Sequence, residues 1–107
     1  VSVRDDMAAA LSTVTGVKGY AIRPKAPKQG DAWLKRQTSQ HVAPGAWETA
    51  WQVVLLAPTD EAAQDSFIEG LRDDLADALA PYAFIDTIDL GMSSDSPAFL
   101  INIRESE

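Results

Sequence analysis

The 107-residue sequence predicts one α+β domain, a mixed or antiparallel sheet with helices packed on it, in the order α-β-β-β-α-β-β. Three observations predict it. Residues 47–79 run from an alternating strand pattern through a proline-marked corner into a long amphipathic stretch. Two further alternating runs, at about 83–90 and 98–104, flank a turn-rich stretch in the manner of an antiparallel hairpin. The first 15 residues carry an apolar stripe at helical spacing.

Residues 2–15 read as a short helix. Ser2 is placed to cap it, with Asp5 in a capping-box position, and Met7, Ala10, Leu11 and Val14 form its stripe. Gly16 is a suitable stop. Val17 to Arg23 alternates as a short strand, with Tyr20 and Ile22 on one face. Residues 24–31 hold two prolines and a glycine and read as an exposed loop. Residues 32–42 form a second strand whose polarity suits a sheet edge, followed by the turn Ala43-Pro44-Gly45.

In the strand from Ala46 to Leu56, Trp47, Thr49, Trp51, Val53 and Leu55 share one face. Trp47 and Trp51 are both expected in the core rather than as ligand platforms. The strand's second half is apolar on both faces, the mark of a central strand. Pro58 ends it and Thr59 is the expected N-cap, with Asp60 and Glu61 complementing the helix dipole. Phe67, Ile68, Leu71, Leu75, Ala78 and Leu79 then mark the buried side of a helix that Pro81 terminates. In the last strand Phe99, Ile101 and Ile103 alternate with Leu100, Asn102 and Arg104.

A chain of this length buries roughly 65% of its unfolded surface, enough for a core without staples. It has no cysteine, so disulfides and thiolate metal sites are excluded. Its longest apolar run, Val53 to Ala57, is far short of the ~20 residues of a membrane span. Arg4, Asp5 and Asp6 near the start do not suit a signal peptide. These features lead to the expectation of an intracellular, soluble protein with no membrane partner. The net charge is −7, unevenly placed. Residues 18–36 hold six bases against Asp31, whereas the rest of the chain holds 15 acids against Arg4, Arg72 and Arg104. Such asymmetry suits a polyanion, an acidic partner surface or a solvated loop.

Catalytic signatures are missing. His41, the only histidine, lies beside a turn with no nucleophile motif. Gly91-Met92-Ser93-Ser94-Asp95 lacks the last glycine of a nucleophile elbow and sits between strands. Asp73, Asp74 and Asp77 have carboxylate spacing for a metal, but with no accompanying ligands they read as a solvated helix face. Asp86 and Asp89 are expected on opposite strand faces. There is no phosphate-binding glycine loop. The expectation is no enzyme, no cofactor and no metal. Trp33 beside Lys35 and Arg36 is the one hint of nucleic-acid binding.

Taken together, the N-terminal helix, the loop ending in Gly30-Asp31-Ala32-Trp33, the polar arm leading to Pro44-Gly45-Ala46-Trp47, the unit Trp51-Gln52-Val53-Val54-Leu55-Leu56 to Thr59-Asp60-Glu61-Ala62-Ala63, and the closing hairpin make a recognisable pattern. It resembles the tail terminator (tail completion) proteins of long-tailed bacteriophages. The resemblance covers nearly the whole chain in element order and length. It implies one domain over 1–107 with a protruding basic loop or hairpin arm at about 24–45. It also implies a structural virion protein, assembled in the host cytoplasm, that forms a ring, usually a hexamer, at the head-proximal end of the tail. Such a ring ends tube polymerisation and offers a head-joining surface. The implied partners are further copies of the chain, the tail tube protein, a head–tail connector or neck protein, and passing genomic DNA without specific recognition. A neighbouring neck role, or a small nucleic-acid-binding domain, is the alternative. The expected subunit interface pairs Lys25, Lys28, Lys35 and Arg36 with acids such as Asp60, Asp73, Asp74 or Asp77 of the next subunit, and Trp33 is a further interface candidate.

Overall fold

The computed structural model describes residues 3–93 and 95–105. Its elements are α1 (Val3–Leu11), β1 (Lys18–Tyr20), β2 (Asp31–Ala43), β3 (Ala46–Leu56), α2 (Glu61–Leu79), β4 (Ala83–Ser93) and β5 (Ser96–Glu105). This is the expected α+β order. The five strands form one sheet in the order β1-β2-β3-β5-β4. β1 runs parallel to β2 and every other pair is antiparallel, so the sheet is mixed.

Both helices cover the same face. Met7 and Leu11 of α1 and Leu71, Leu75 and Leu79 of α2 pack against Leu34, Trp51, Val53, Leu55, Ile101 and Ile103. These strand residues share a face because side chains alternate at a period of two. Among the described residues no helix lies on the opposite face. Its centre is a smaller buried cluster of Trp33, Val54, Leu56 and Ala98, flanked by Tyr20 and Leu100. β3 is therefore covered on both sides over its second half, as its apolar run predicts.

Several boundaries differ from the expected ones. α1 ends at Leu11, four residues early. The Thr13 hydroxyl bonds back to the Ala10 carbonyl (2.6 Å), and the Ser12 hydroxyl accepts the Gly19 amide (3.0 Å). These local bonds compete with helix continuation. Ala8, not Ala10, is the buried alanine, and Val14 is buried from the turn. The Ser2 cap lies outside the described residues. β1 spans only three residues, and Ile22 beyond it is exposed. Its connection to β2 closes at Gly30, which has φ +90°, the left-handed region open to glycine. The Gly30 amide donates to Leu56 O (3.1 Å) and its carbonyl accepts from Lys18 N–H (2.9 Å), tying three strands together. The nearby buried Asp31 carboxylate accepts the Lys28 amide (2.9 Å).

Asp60, not Thr59, caps α2. Its backbone is extended and its carboxylate accepts from Ala63 N–H (3.0 Å). Gln64 is buried as well, because its amide donates to the Pro58 carbonyl (2.8 Å) and so closes the corner. We expect Asp60→Ala to cost about 1 kcal/mol in urea unfolding, the usual value of a lost cap, and Thr59→Ala to cost much less. Equal losses would mean that the cap is shared.

The closing hairpin is tighter than expected. β4 extends to Ser93 and β5 begins at Ser96, so most of residues 91–97 is strand rather than loop. A bulge between Ile85 and Thr87 breaks the simple alternation that would oppose Asp86 to Asp89. No helix among the described residues is long and apolar enough to cross a membrane.

Candidate self-association surfaces

β2 and β3 outrun the rest of the sheet. β5 pairs with β3 only as far as Ala50, opposite Arg104. Among the described residues the two strands continue alone from Ser39 to Thr49 as a ribbon, held by the pairs Ser39–Thr49, Gln40–Glu48, His41–Trp47 and Ala43–Ala46. Here the expected core position of Trp47 is corrected. Trp47 shares the helix-side face with Trp51, but it lies past the end of the packed layer and is 57% exposed. Its ring stacks on His41 with centroids 4.7 Å apart. Val42 is exposed next to it.

The expected basic arm is thus two separate features. Lys25 and Lys28 are exposed on the β1–β2 connection, at the far end of β2 from the ribbon tip. Lys35 and Arg36 are exposed at the ribbon's root. The tip itself carries no lysine or arginine. The prolines and glycine that read as an arm belong to a crossover between parallel strands, which sequence alone does not distinguish from a hairpin. Trp33 is buried, at 4% exposure, with the Arg23 guanidinium over its ring at 5.7 Å. It is not available to stack on a base. Arg36 lies over the Trp51 ring at 4.8 Å.

The acids divide too. Asp74 and Asp77 line a shallow depression beside Thr13, Val14 and Thr15, and Asp73 is exposed on the outer side of α2. Asp60 opens a different and larger feature, a groove of about 1070 Å³ between α2 and β4. Its apolar floor is Ile68, Ile85, Ile88, Leu90 and Phe99. Asp60, Glu61, Asp65 and Glu69 rim it on α2, and Asp86 on β4, with Arg72 as its one basic residue. Asp86 also holds Arg104 through a two-pronged contact, with Nε–Oδ2 at 2.9 Å and Nη2–Oδ1 at 3.1 Å. That hydrogen bond and the accompanying charge raise the Arg104 pKa above its ordinary value.

Glu61, Asp65, Glu69, Leu90 and Trp47 are surface residues that the sequence did not single out as interface candidates. One signal was present. Phe67 and Ile68 widen the α2 stripe on one side, and both are only partly buried. A helix with apolar residues beyond what its own sheet covers leaves an apolar margin. The sheet order also separates charge. Lys18, Arg23, Lys25, Lys28, Lys35 and Arg36 lie on β1, β2 and their connection, whereas the groove acids lie on α2 and β4 at the other side. Among the described residues no three histidine or carboxylate side chains are grouped to hold a metal ion. A scan against protein-family models finds no match, and a search of curated proteins finds none.

Proposed function

We propose that this chain is a structural subunit of a phage tail that joins copies of itself head to tail into a ring. The ring is a hexamer at the head-proximal end, where it ends tube polymerisation and presents a surface to the head. One observation carries the self-association. The six bases of residues 18–36 and the acids of the α2–β4 groove occupy opposite sides of a single sheet, so one copy's β1–β2 side complements the next copy's α2–β4 side. Two different surfaces that fit each other make a heterologous contact, and repetition of such a contact closes into a ring when the rotation allows. The resemblance in element order supplies the location on the tail. Net acidity suits a ring around passing DNA, because a lumen that grips phosphates would retard it.

Exposed ion pairs contribute only ~0–1 kcal/mol each and are screened by salt, so several must act together. The triple variant Lys25→Glu, Lys28→Glu, Lys35→Glu tests this, since all three side chains are exposed and dispensable for the core. It is expected to fold normally yet fail to form rings at physiological salt, by mass and negative-stain microscopy. It is also expected not to complete tails. Rings and completed tails indistinguishable from wild type would reject the charge-directed contact.

A further inference from the structure

We infer that the α2–β4 groove is the seat of the β2–β3 ribbon tip of a second copy, with Trp47 inserted over the groove floor. This rests on the head-to-tail reading above and adds an apolar anchor at the ribbon tip; Lys25 and Lys28, at the far end of β2, lie outside this contact. A ribbon of two strands is marginal by itself in water, and among the described residues no third strand or helix lies beneath this one. Its tip nevertheless presents a large aromatic side chain, held in place by the His41 stack. An exposed tryptophan is a residue type that often anchors an interface by filling an apolar pocket. The groove offers that pocket. Leu90 stands 56% exposed on its floor.

Charge at the ribbon's root, not at its tip, favours the same pairing: residues 39–49 carry Glu48 and no lysine or arginine, so it is the bases behind Trp47 that meet the acidic rim. The ribbon's root carries Lys35 and Arg36, and Glu48 is the one acid on its strands beyond Asp31. The groove is rimmed by five carboxylates and one arginine. A copy cannot fill its own groove. Leu90 lies opposite Phe99, and Phe99 opposite Leu55, on strands two removed from each other. Trp47 is eight residues along β3 from Leu55, about 27 Å at ~3.4 Å per residue. Tip and groove therefore meet only between molecules.

Two properties of the chain make the test clean. Trp33 and Trp51 are already buried, so Trp47 dominates fluorescence quenching by iodide or acrylamide. The chain has no cysteine, so the double variant Val42→Cys, Asp65→Cys, which keeps both Trp47 and Leu90, carries the only two thiols. Across a concentration series followed by light scattering, the quenchable fluorescence is expected to fall as the protein assembles. Oxidation of the double variant is expected to give a covalent ladder, and neither single variant a species above dimer. Trp47→Ala is expected to fold as wild type and to weaken self-association by at least about 30-fold, the equivalent of a ~2 kcal/mol anchor. Rings in which Trp47 stays open to quencher, with Trp47→Ala assembling as wild type, would overturn the docking and leave the ring reading standing. A wild-type chain that associates neither alone nor on tube ends would overturn both.

Discussion

Replacing Trp51 with alanine is expected to destabilise the domain by about 4 kcal/mol, in the range of large aromatic truncations in a core. Trp51 is 2% exposed and lies in mid-sheet, opposite Arg36 on β2 and Ile103 on β5. Three further contacts converge on its ring. The indole N–H donates to Glu105 Oε1 at 2.7 Å, tying β3 to the end of β5. The guanidinium groups of Arg4 and Arg36 lie 5.1 and 4.8 Å from the ring centroid, so the start of α1 and the root of the ribbon both rest on it. Alanine leaves a cavity and removes the partner of a partly buried carboxylate. Urea unfolding should show a lower midpoint with an unchanged slope. For a domain of this size the melting temperature should fall on the order of 20 °C. Trp51→Phe keeps most of the buried area and loses only the donor, so it should cost about 1–2 kcal/mol. If the alanine variant lost no more than the phenylalanine variant, ring packing would not be what holds this centre.

The second large effect falls on Gly19. An added Cβ there would collide with the Ala8 carbonyl oxygen and approach Leu11 Cβ at 2.9 Å. Neither neighbour can swing aside, because one is backbone and the other the first atom of a fully buried side chain. Relief requires α1 to lift away from β1. A helix of nine residues has little stability of its own and relies on this packing. Gly19→Ala is therefore expected to cost at least about 3 kcal/mol, the upper range for overpacking. Gly70→Ala provides the contrast. Gly70 is mid-helix in α2 with nothing within 4 Å of an added Cβ. The same substitution there should stabilise by about 0.5–1 kcal/mol through helix propensity. The opposite signs are the readout. Two small changes of the same sign would show that α1 is not held tightly against β1.

The legibility of this chain follows the range of the forces involved. β3 and α2 match the expected 46–56 and 61–79 because alternation, Pro58 and the 3.6-residue stripe are local signals. The helix cap was misread by one residue because Thr59 and Asp60 are both good caps, and only backbone geometry chooses between them. Trp47 was misplaced for a different reason. Alternation assigns a face, but burial on that face depends on whether another element reaches it. β5 stops pairing at Ala50, a fact about another part of the chain. The same limit applied to the interface candidates. Lys25 and Lys28 sit on the β1–β2 connection before β2 begins, whereas Lys35 lies partway along that strand at the ribbon's root, and Asp60 parts from Asp74 and Asp77 along one helix.

By itself the sequence determined the element order, the apolar faces of β3, β5 and α2, and the imbalance of charge. Each is written within a few residues and enforced by side-chain period or turn chemistry. The tertiary structure decided the parallel pairing of β1 with β2, which put the bases of residues 18–36 on one side of the sheet, away from the groove acids of α2 and β4. It also decided that β2 and β3 would outrun their neighbours and lift Trp47 out of the core, and that α2 would stand off β4 far enough to leave a groove. These depend on strand order and on where separate elements end relative to one another, quantities set by packing between segments that no local pattern encodes.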